Sequence, residues 1–180
     1  CFDDAAEEFT CPLTTELPVD PVTAEDGRVY ERSAIAEWIA RPGELKSPMT
    51  KEVMGPRLLP ATQVRNVIEQ MVRTGAISGP LADAWSKKLA EEEEVRKMRA
   101  KAEGGDTYAM CRMGWWYEDG VNSLPKDLKK AAYWYRCGHE LGEPSCASSL
   151  GNLHYEGQGV KQDGAYAVHL YTAAAFRGSK

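Results

Sequence analysis

The sequence has no long apolar run and no excess of positive charge. A membrane-spanning helix needs roughly 18 to 20 consecutive apolar residues, and no stretch of the 180-residue chain approaches that length. Asp and Glu number 27 against 22 Lys and Arg, which gives a net charge of −5 and a pI near 5.3. Because nucleic-acid-binding surfaces are usually basic, we expect neither a nucleic-acid partner nor a membrane span in this fragment.

Metal-binding residues are also scarce. The five cysteines form no Cys-x-x-Cys pair, and the histidines are His139, His154 and His169, without ligand spacing. Cys11 is the only Cys or His between residues 9 and 71, whereas a structural zinc site needs four sulfur or nitrogen ligands. No metal or cofactor is therefore expected. The odd cysteine count argues against a disulfide framework and favours a reducing compartment, the cytoplasm or nucleus.

The start of the chain is Cys1 rather than Met, and its last residues lie inside a repeat. We interpret the sequence as part of a longer protein. A missing targeting signal then carries little weight.

The pattern over residues 21–39 predicts a β-hairpin followed by a short helix. The pair Asp26-Gly27 supplies a hairpin turn between two short β-prone runs. Ser33 is a suitable N-cap, and the apolar face that follows consists of Ile35, Trp38 and Ile39. Pro42 and Gly43 end this helix.

A second helix is predicted after Pro60, and Gly75 ends it. Its apolar face is Val64, Val67, Ile68, Met71 and Val72.

The two loops that flank the first helix, residues 11–18 and 42–50, need a source of order other than metal, because a core of about 65 residues is small. The polar candidates are Glu16, Asp20, Asp26, Arg28, Glu31, Arg32, Ser47, Thr50 and Arg65. We predict that a subset braces the loops through ion pairs and hydrogen bonds, namely Glu16, Asp20, Glu31, Arg32 and Ser47. Any one of them, taken singly, is better explained as a solvated charge of little energetic value, whereas for the set bracing is the better explanation.

Four separated motifs resemble the U-box, the zinc-free relative of the RING domain of ubiquitin ligases. They are Phe9-Thr-Cys-Pro-Leu-Thr-Thr-Glu-Leu-Pro, Gly27-Arg-Val-Tyr-Glu-Arg-Ser-Ala-Ile-Ala-Glu-Trp-Ile, Lys46-Ser-Pro-Met-Thr and Leu58-Leu-Pro-Ala-Thr-Gln-Val-Arg-Asn-Val-Ile. The resemblance implies an α+β U-box domain, which we assign to residues 7–75.

The same resemblance implies a ubiquitin transferase that acts as a scaffold without a covalent intermediate. Such a domain binds a ubiquitin-conjugating enzyme that carries ubiquitin as a thioester, and it orients that conjugate for attack by a substrate lysine. Its contribution to the rate is orientation.

The resemblance also identifies the contact residues. Leu13 matches the aliphatic position of the first loop that docks the conjugating enzyme, with Pro12 stiffening the loop, and Trp38 matches the exposed helix position of the groove. Both Leu13 and Trp38 have a core interpretation as well. The further groove positions are Pro42 and Pro48.

Lys46 falls where the family places a residue that bridges ubiquitin and the conjugating enzyme, although an exposed loop lysine is an equally good interpretation. Two departures from the family pattern stand out. Gly43 occupies a position that is commonly proline, with Pro42 displaced by one residue, and Ala61 replaces an asparagine that would cap the second helix. Pro48 also has a structural interpretation.

Residues 76–104 predict a connector helix of about 24 residues that starts at Pro80, because proline is favoured at the first helical position. Its apolar residues recur every three or four positions up to Gly104-Gly105. The glutamates at positions 91–94 are interpreted as a solvated face.

The last part, residues 105–180, contains an internal repeat. Gly114-Trp-Trp-Tyr-Glu-Asp-Gly120 aligns with Gly151-Asn-Leu-His-Tyr-Glu-Gly157, 37 residues later. Each unit predicts two helices joined by a glycine-bearing turn. The pattern resembles the Sel-one-like repeat, a relative of the tetratricopeptide repeat, in an αα solenoid, which implies binding of a protein substrate or adaptor. Trp115 lies off the predicted core face and is the candidate partner contact, although burial against a neighbouring repeat is the more common role of a single aromatic residue.

The sequence thus favours a ubiquitin ligase with a helical-repeat arm that binds substrate. A non-catalytic adaptor with a degenerate U-box is the alternative, and Gly43 and Lys46 favour it. The lack of clustered His, Asp and Glu ligands argues against a metal-dependent hydrolase.

Overall fold

The computed structural model describes residues 6–178, and the chain divides into two compact units, one up to Leu89 and one from Ala90 onward. Within the described residues, no helix combines the length and apolar character that a bilayer crossing requires. The two units are described separately below.

Over residues 21–74, the N-terminal unit contains a small sheet and two helices. The strands are β1 (Pro21–Thr23), β2 (Val29–Glu31) and β3 (Leu59–Pro60), and the helices are α1 (Arg32–Ile39) and α2 (Thr62–Thr74). The sheet order is β2-β1-β3, and both pairings are antiparallel. The predicted hairpin is confirmed, with Val22 opposite Tyr30 and Gly27 at a φ of 77° in its turn.

The start of α1 differs from the prediction. Ser33 is not the N-cap, because the helix begins at Arg32, two residues earlier than predicted, and Glu31 occupies the cap position without a side-chain cap bond. The Glu31 carboxylate instead accepts hydrogen bonds from the backbone of Val19 and Asp20. The chain therefore uses this position to hold the preceding loop rather than to cap the helix.

Helix α2 agrees with the sequence at both ends. Ala61 stands at its N-cap without a side-chain bond, as expected where the family asparagine is absent, and Gly75 ends it at a φ of 77°. Ile68 is fully buried, whereas Val67 is 42% exposed. The apolar face is thus narrower than predicted.

Two small cores stabilise the N-terminal unit. One lies between the sheet and α1 and contains Cys11, Val22, Tyr30, Ile35 and Met54 among its buried residues. The other joins α2 to the first turns of the long helix α3 (Pro80–Glu103) and contains Leu17, Val19, Ile68, Ile77 and Trp85.

Helix α3 has the predicted length of 24 residues. Its first turns also belong to the core of the N-terminal unit. The Trp85 indole is buried and donates a hydrogen bond to the carbonyl oxygen of Pro18 at 3.1 Å. The compact N-terminal unit consequently reaches Leu89, beyond the residue 75 at which the sequence analysis placed the end of the first domain.

The C-terminal unit contains α4 (Thr107–Asp119), α5 (Leu128–Glu140), α6 (Pro144–Glu156) and α7 (Gly164–Gly178). This order confirms two helix-turn-helix units; Ser179 and Lys180, in the predicted range, lie outside the described residues. Asp127 caps α5 by accepting from the backbone N–H groups of Lys129 and Lys130.

The buried face of α4 lies in the core of the C-terminal unit. Met110, Met113 and Tyr117 are in the core, with Val95 and Ala102 from the end of α3. Gly114 lets α4 approach α5 closely, because a Cβ at this position would lie 2.4 Å from the Tyr135 ring.

One cysteine pair contradicts the sequence analysis. Cys111 of α4 and Cys146 of α6 form a disulfide with their Cα atoms 5.4 Å apart. The expectation of no disulfide is wrong here because the pairing depends on how the two helices pack, and no short sequence spacing signals it. Among the described cysteines, Cys11 and Cys137 are free.

Candidate functional site

The first loop, residues 11–18, is closed on itself and attached to β2. The Cys11 N–H donates to the Glu16 carbonyl at 2.9 Å, and the Thr15 N–H donates to the Cys11 carbonyl at 2.8 Å. The buried Cys11 sulfur accepts a hydrogen bond from the Glu31 N–H at 3.2 Å. These contacts fix the base of the loop and leave its tip, with Pro12 and Leu13, at the surface.

The second loop, residues 42–50, is fastened to the hairpin turn through Ser47. This side chain is fully buried, and its hydroxyl donates to Asp26 Oδ2 at 2.6 Å. Ser47 Oγ also accepts hydrogen bonds from the backbone N–H groups of Met49 and Thr50, at 3.1 and 3.0 Å. The Tyr30 hydroxyl donates to Asp26 Oδ2 at 2.7 Å, so one carboxylate joins strand, turn and loop.

The protonation states of this cluster follow from its hydrogen bonds. Burial alone would raise the pKa of Asp26, but the donors Ser47, Tyr30 and the Arg28 N–H outweigh it, and the pKa of this carboxyl is lowered. Burial, together with the Asp26 carboxylate, raises the pKa of Tyr30. The carboxyl therefore stays ionised and the phenol stays protonated, as the hydrogen bonds require.

A second cluster holds the end of the first loop. Glu31 Oε2 accepts from the N–H groups of Val19 and Asp20 at 2.8 and 3.2 Å. The Arg32 guanidinium binds both oxygens of Asp20, with Nε–Oδ2 at 2.6 Å and Nη2–Oδ1 at 3.3 Å, and this bond is the main reason that the pKa of Arg32 is raised. Both side chains of this pair are about 40% exposed, so its energetic value is modest.

Four of the five predicted bracing residues take part in these two clusters. Asp20, Glu31 and Arg32 hold the first loop, and Ser47 holds the second. Glu16 does not take part in bracing between the loops. Its carboxylate pairs with Lys88 of α3, which lies outside the predicted domain, and it therefore ties the first loop to the long helix.

Two bracing residues were missed. Tyr30 supplies one donor to Asp26, and Glu25 accepts from the N–H groups of Gly55 and Arg57 at 2.8 and 3.3 Å. The alternation of β2 carried a signal for Tyr30, because a tyrosine on the inner face of a strand normally finds a partner for its hydroxyl. Glu25 gives no such signal, since its partners are backbone groups about 30 residues away.

The predicted contact residues lie between these clusters. Leu13 is half-buried and packs at the edge of the core between the sheet and α1, as does Trp38. The Trp38 indole N–H donates to the Lys46 carbonyl at 2.8 Å, and the Arg41 guanidinium lies 4.6 Å from its ring centre. Both side chains therefore combine an inner, packed part with an outer, accessible part.

The remaining predicted contacts differ in accessibility. Pro42 and Lys46 are exposed, and the Lys46 ammonium pairs with Glu44 at 2.9 Å. Pro48 is buried, which leaves its ring little surface for a partner and favours the structural interpretation that the sequence also allowed.

The side chains of the site are mainly apolar and hydrogen-bonding groups. The sequence places all three histidines beyond residue 138, and Cys11 is buried as a hydrogen-bond acceptor. Among the described residues, no group of three or more His, Cys, Asp and Glu is arranged to hold a metal ion. The site presents an apolar rim, which consists of the accessible parts of Leu13 and Trp38. Buried hydrogen bonds support it.

Trp115, the predicted partner contact of the C-terminal unit, is 42% exposed. The Arg112 guanidinium lies 5.0 Å from its ring centre, at a distance typical of a cation–π contact. The next residue, Trp116, is 1% exposed and belongs to the core.

Comparison with known proteins supplies two family matches. The U-box domain model matches residues 5–75, and the Sel1 repeat model matches residues 107–143 and 144–179. Neither match alone covers half of the chain, but together they account for most of it.

Two relatives each match less than half of this chain. The protein LIN-1 of Lotus japonicus is 43% identical over 81 residues, which are 44% of this chain and 5% of that protein. The E3 ubiquitin-protein ligase SPL11 of Oryza sativa subsp. japonica is 37% identical over 75 residues, 41% of this chain and 11% of that protein. This chain therefore spans a small fraction of the length of these relatives.

Among solved structures, a Sel1 repeat protein from Oxalobacter formigenes is 25% identical. The match covers 63% of this chain and 77% of that chain, with a TM-score of 0.44.

Proposed function

The chain carries a U-box domain at residues 5–75 followed by two Sel1 repeats at residues 107–179, and we propose that it acts as a ubiquitin-protein ligase. In this proposal the U-box recruits a ubiquitin-charged conjugating enzyme and promotes transfer of ubiquitin to a substrate lysine. The repeats bind the substrate or a partner protein. The observation that carries the proposal is the half-buried pair Leu13 and Trp38, held at the surface by loops that are braced without metal.

The proposed mechanism is orientation. Residues 6–89 contain no histidine, and Cys11 is buried as a hydrogen-bond acceptor. The effect on the rate is therefore assigned to restraining the bound conjugate in a reactive geometry. Each tenfold gain in rate requires about 1.4 kcal/mol from that restraint. A rim of rigid apolar side chains supplies binding energy with little loss of conformational entropy.

Lys46 is proposed as the bridge between ubiquitin and the conjugating enzyme. Its ammonium is paired with Glu44 in the free chain, so bridging requires an exchange of partners. A lysine is also a point charge without the planar fork of arginine. Both properties make the restraint weaker than an arginine would give.

The alternative is a non-catalytic adaptor that retains the fold without productive binding of the conjugating enzyme. Two observations favour it. Gly43, at a φ of 123°, takes the place of a family proline, and Lys46 is occupied by Glu44. The experiments below separate the adaptor from the ligase.

Leu13→Ala is expected to lower self-ubiquitination at least tenfold across a panel of conjugating enzymes. Burial of a leucine side chain contributes about 1.5–3 kcal/mol, and 1.4 kcal/mol corresponds to a factor of ten in affinity. Leu59→Ala is the matched control, because Leu59 is an apolar side chain of β3 that is 51% exposed. Circular dichroism and the Tm of each variant establish that the fold is retained.

The outcomes distinguish the two functions. Activity that falls with Leu13→Ala and persists with Leu59→Ala supports the ligase. If the native chain shows no self-ubiquitination with any conjugating enzyme in the panel, the result favours the adaptor. Equal activity of both variants removes Leu13 from the docking surface.

Discharge of a pre-charged conjugating enzyme is expected to be unaffected by an excess of EDTA, whereas chelators unfold domains whose structure depends on a bound metal. The loops are braced by Asp26, Ser47, Glu31 and Asp20 rather than by metal ligands. Pre-charging removes the need for magnesium and ATP from the measured step. A zinc-dependent RING ligase, assayed in parallel, should lose activity, and a similar loss in this chain would contradict the metal-free bracing.

The cytoplasm or nucleus is the proposed location, because the proposed reaction needs a charged conjugating enzyme. The Cys111–Cys146 disulfide argues against a reducing compartment. Thiol titration of protein taken directly from cells decides between the two, since a reducing location requires both cysteines to be free.

A further inference from the structure

A groove of about 370 Å³ runs between α4 and α6, the first helices of the two repeats. The α4 side contributes Tyr108, Arg112 and Trp115, and the α6 side contributes Ser145, Ser149 and Asn152. Each α6 residue lies 37 positions after its α4 counterpart. The groove is thus lined by the same three positions of each repeat, with large side chains on one wall and small polar ones on the other.

Arg112 forms no ion pair with a carboxylate among residues 6–178. Its guanidinium lies 5.0 Å from the Trp115 ring centre and 5.5 Å from that of Trp116. Its Nε is buried and has no hydrogen-bond partner among residues 6–178, and no described carboxylate pairs with the side chain. An N–H group of a guanidinium that is removed from water without an acceptor is costly, which is a reason to expect the acceptor from outside the chain.

The two glutamates that line the groove do not serve Arg112. Glu118 accepts from the Tyr135 hydroxyl at 2.6 Å. Glu143 accepts from the Thr107 hydroxyl at 3.2 Å and from the Ser145 N–H at 3.4 Å. Burial and Glu118 raise the pKa of Tyr135, so its hydroxyl keeps donating to Glu118. Arg112 therefore remains the charged group of the groove that is available to a partner.

The apolar contribution of the groove comes from one wall. Tyr108 is 65% exposed and Trp115 is 42% exposed, so both rings offer contact area to a bound molecule. Aromatic and arginine side chains together are the residues that most often dominate a protein interface. On the opposite wall, the Asn152 Nδ2 group suits a backbone C=O group of an extended segment, while Asn152 Oδ1 accepts from the Tyr171 hydroxyl at 2.8 Å.

We propose that this groove binds a peptide segment of a partner protein, with a carboxylate of the segment on Arg112 and an apolar side chain on Trp115. The inference rests on the proposed function to the extent that the repeats serve as the partner-binding arm. It adds the chemistry of the partner, an acidic residue next to an apolar one.

The test is selection of a phage-displayed library of random 12-residue peptides on the whole chain, followed by Kd measurement for synthetic copies of the selected peptides. We expect the selected peptides to contain Asp or Glu beside an apolar residue. Exchange of that acidic residue for its amide should weaken binding at least tenfold, a difference of about 1.4 kcal/mol. Raising the salt concentration should also weaken binding.

Variants of the chain locate the binding site. Arg112→Gln and Trp115→Ala should each weaken binding at least tenfold. The matched controls, Arg136→Gln and Tyr133→Ala, change exposed residues of α5 outside the groove and should alter Kd by less than twofold. Arg112→Lys keeps the charge without the planar fork and should give an intermediate Kd, which guards against a folding defect in Arg112→Gln.

Several results would overturn the inference. One is a set of selected peptides without acidic residues, and another is a Kd for Arg112→Gln equal to that of the native chain. A third is a dimer of the native chain that dissociates in Arg112→Gln, since a second copy would then supply the anion. Self-ubiquitination is measured on the same variants to keep the two proposals separate. Leu13-dependent activity without peptide binding rejects only the groove, whereas Arg112-dependent peptide binding without activity rejects only the ligase.

Discussion

Asp26→Ala is expected to destabilise the N-terminal unit by about 3 kcal/mol. The change leaves the fully buried Ser47 hydroxyl and the Tyr30 hydroxyl without their shared acceptor. Each buried polar group that loses its partner costs about 1–3 kcal/mol. The measurement is urea unfolding followed at the backbone amide resonances of residues 6–89, so that the N-terminal unit is monitored by itself.

The controls for Asp26→Ala come from the same turn. Arg28→Ala removes an exposed side chain whose backbone N–H, but not its guanidinium, binds Asp26, and it should cost less than about 0.5 kcal/mol. Tyr30→Phe removes one of the two hydroxyl donors and should cost about 1 kcal/mol. A loss for Asp26→Ala no larger than that for Arg28→Ala would show that this carboxylate does not hold the second loop.

The same carboxylate gives the stability a pH dependence. Because the pKa of Asp26 is lower in the folded chain than in the unfolded chain, its stabilising contribution is fully present above the ordinary aspartate pKa. The contribution is lost as the pH falls through the lowered value. Asp26→Ala should therefore show a smaller loss of stability on acidification than the native chain.

Gly114→Ala is expected to destabilise the C-terminal unit by about 2–3 kcal/mol. The added methyl group would lie 2.4 Å from the Tyr135 ring. That ring is 2% exposed, and its hydroxyl is held by Glu118 at 2.6 Å, so it cannot move away. Overpacking of a well-packed core costs about 1–3 kcal/mol. Thermal unfolding, followed at the amide resonances of residues 90–178, measures the loss.

The repeat provides its own controls for Gly114→Ala. Gly151 is the equivalent residue of the second repeat, and its added methyl group would lie 2.7 Å from the ring of Tyr171. Tyr171 is 36% exposed on α7 and has room to shift, so Gly151→Ala should cost less than half as much. Gly164→Ala meets no atom within 4 Å and should be neutral or slightly stabilising. Equal losses at positions 114 and 151 would contradict the explanation by ring mobility.

Local signals predicted most of the fold. The Asp26-Gly27 turn, the end of α2 at Gly75 and the two helix-turn-helix units depend on residues close together in sequence, and the structure contains all of them. The N-cap of α1 was misplaced because Ser33 has the right chemistry, whereas Glu31 occupies that position. In this case a tertiary requirement for the Glu31 carboxylate overrides the capping preference.

The contacts that the sequence could not provide join distant parts of the chain. Glu16 and Lys88 are separated by 72 positions, and the buried bond from Trp85 to Pro18 spans 67. An amphipathic pattern identifies Trp85 as inward-facing, but it does not specify which loop receives its N–H group. The candidate site was likewise predicted residue by residue, while its central acceptor, Asp26, was one of nine polar candidates with nothing to distinguish it.

The position of Cys11 allows its thiol to report on opening of the first loop. The thiol is fully buried and accepts the Glu31 N–H at the base of the loop. An alkylating reagent reaches this sulfur only while the loop has separated from β2. The rate of alkylation at Cys11 therefore measures how often the loop that carries Leu13 opens. A bound conjugating enzyme that holds this loop closed would slow the reaction in proportion to its occupancy.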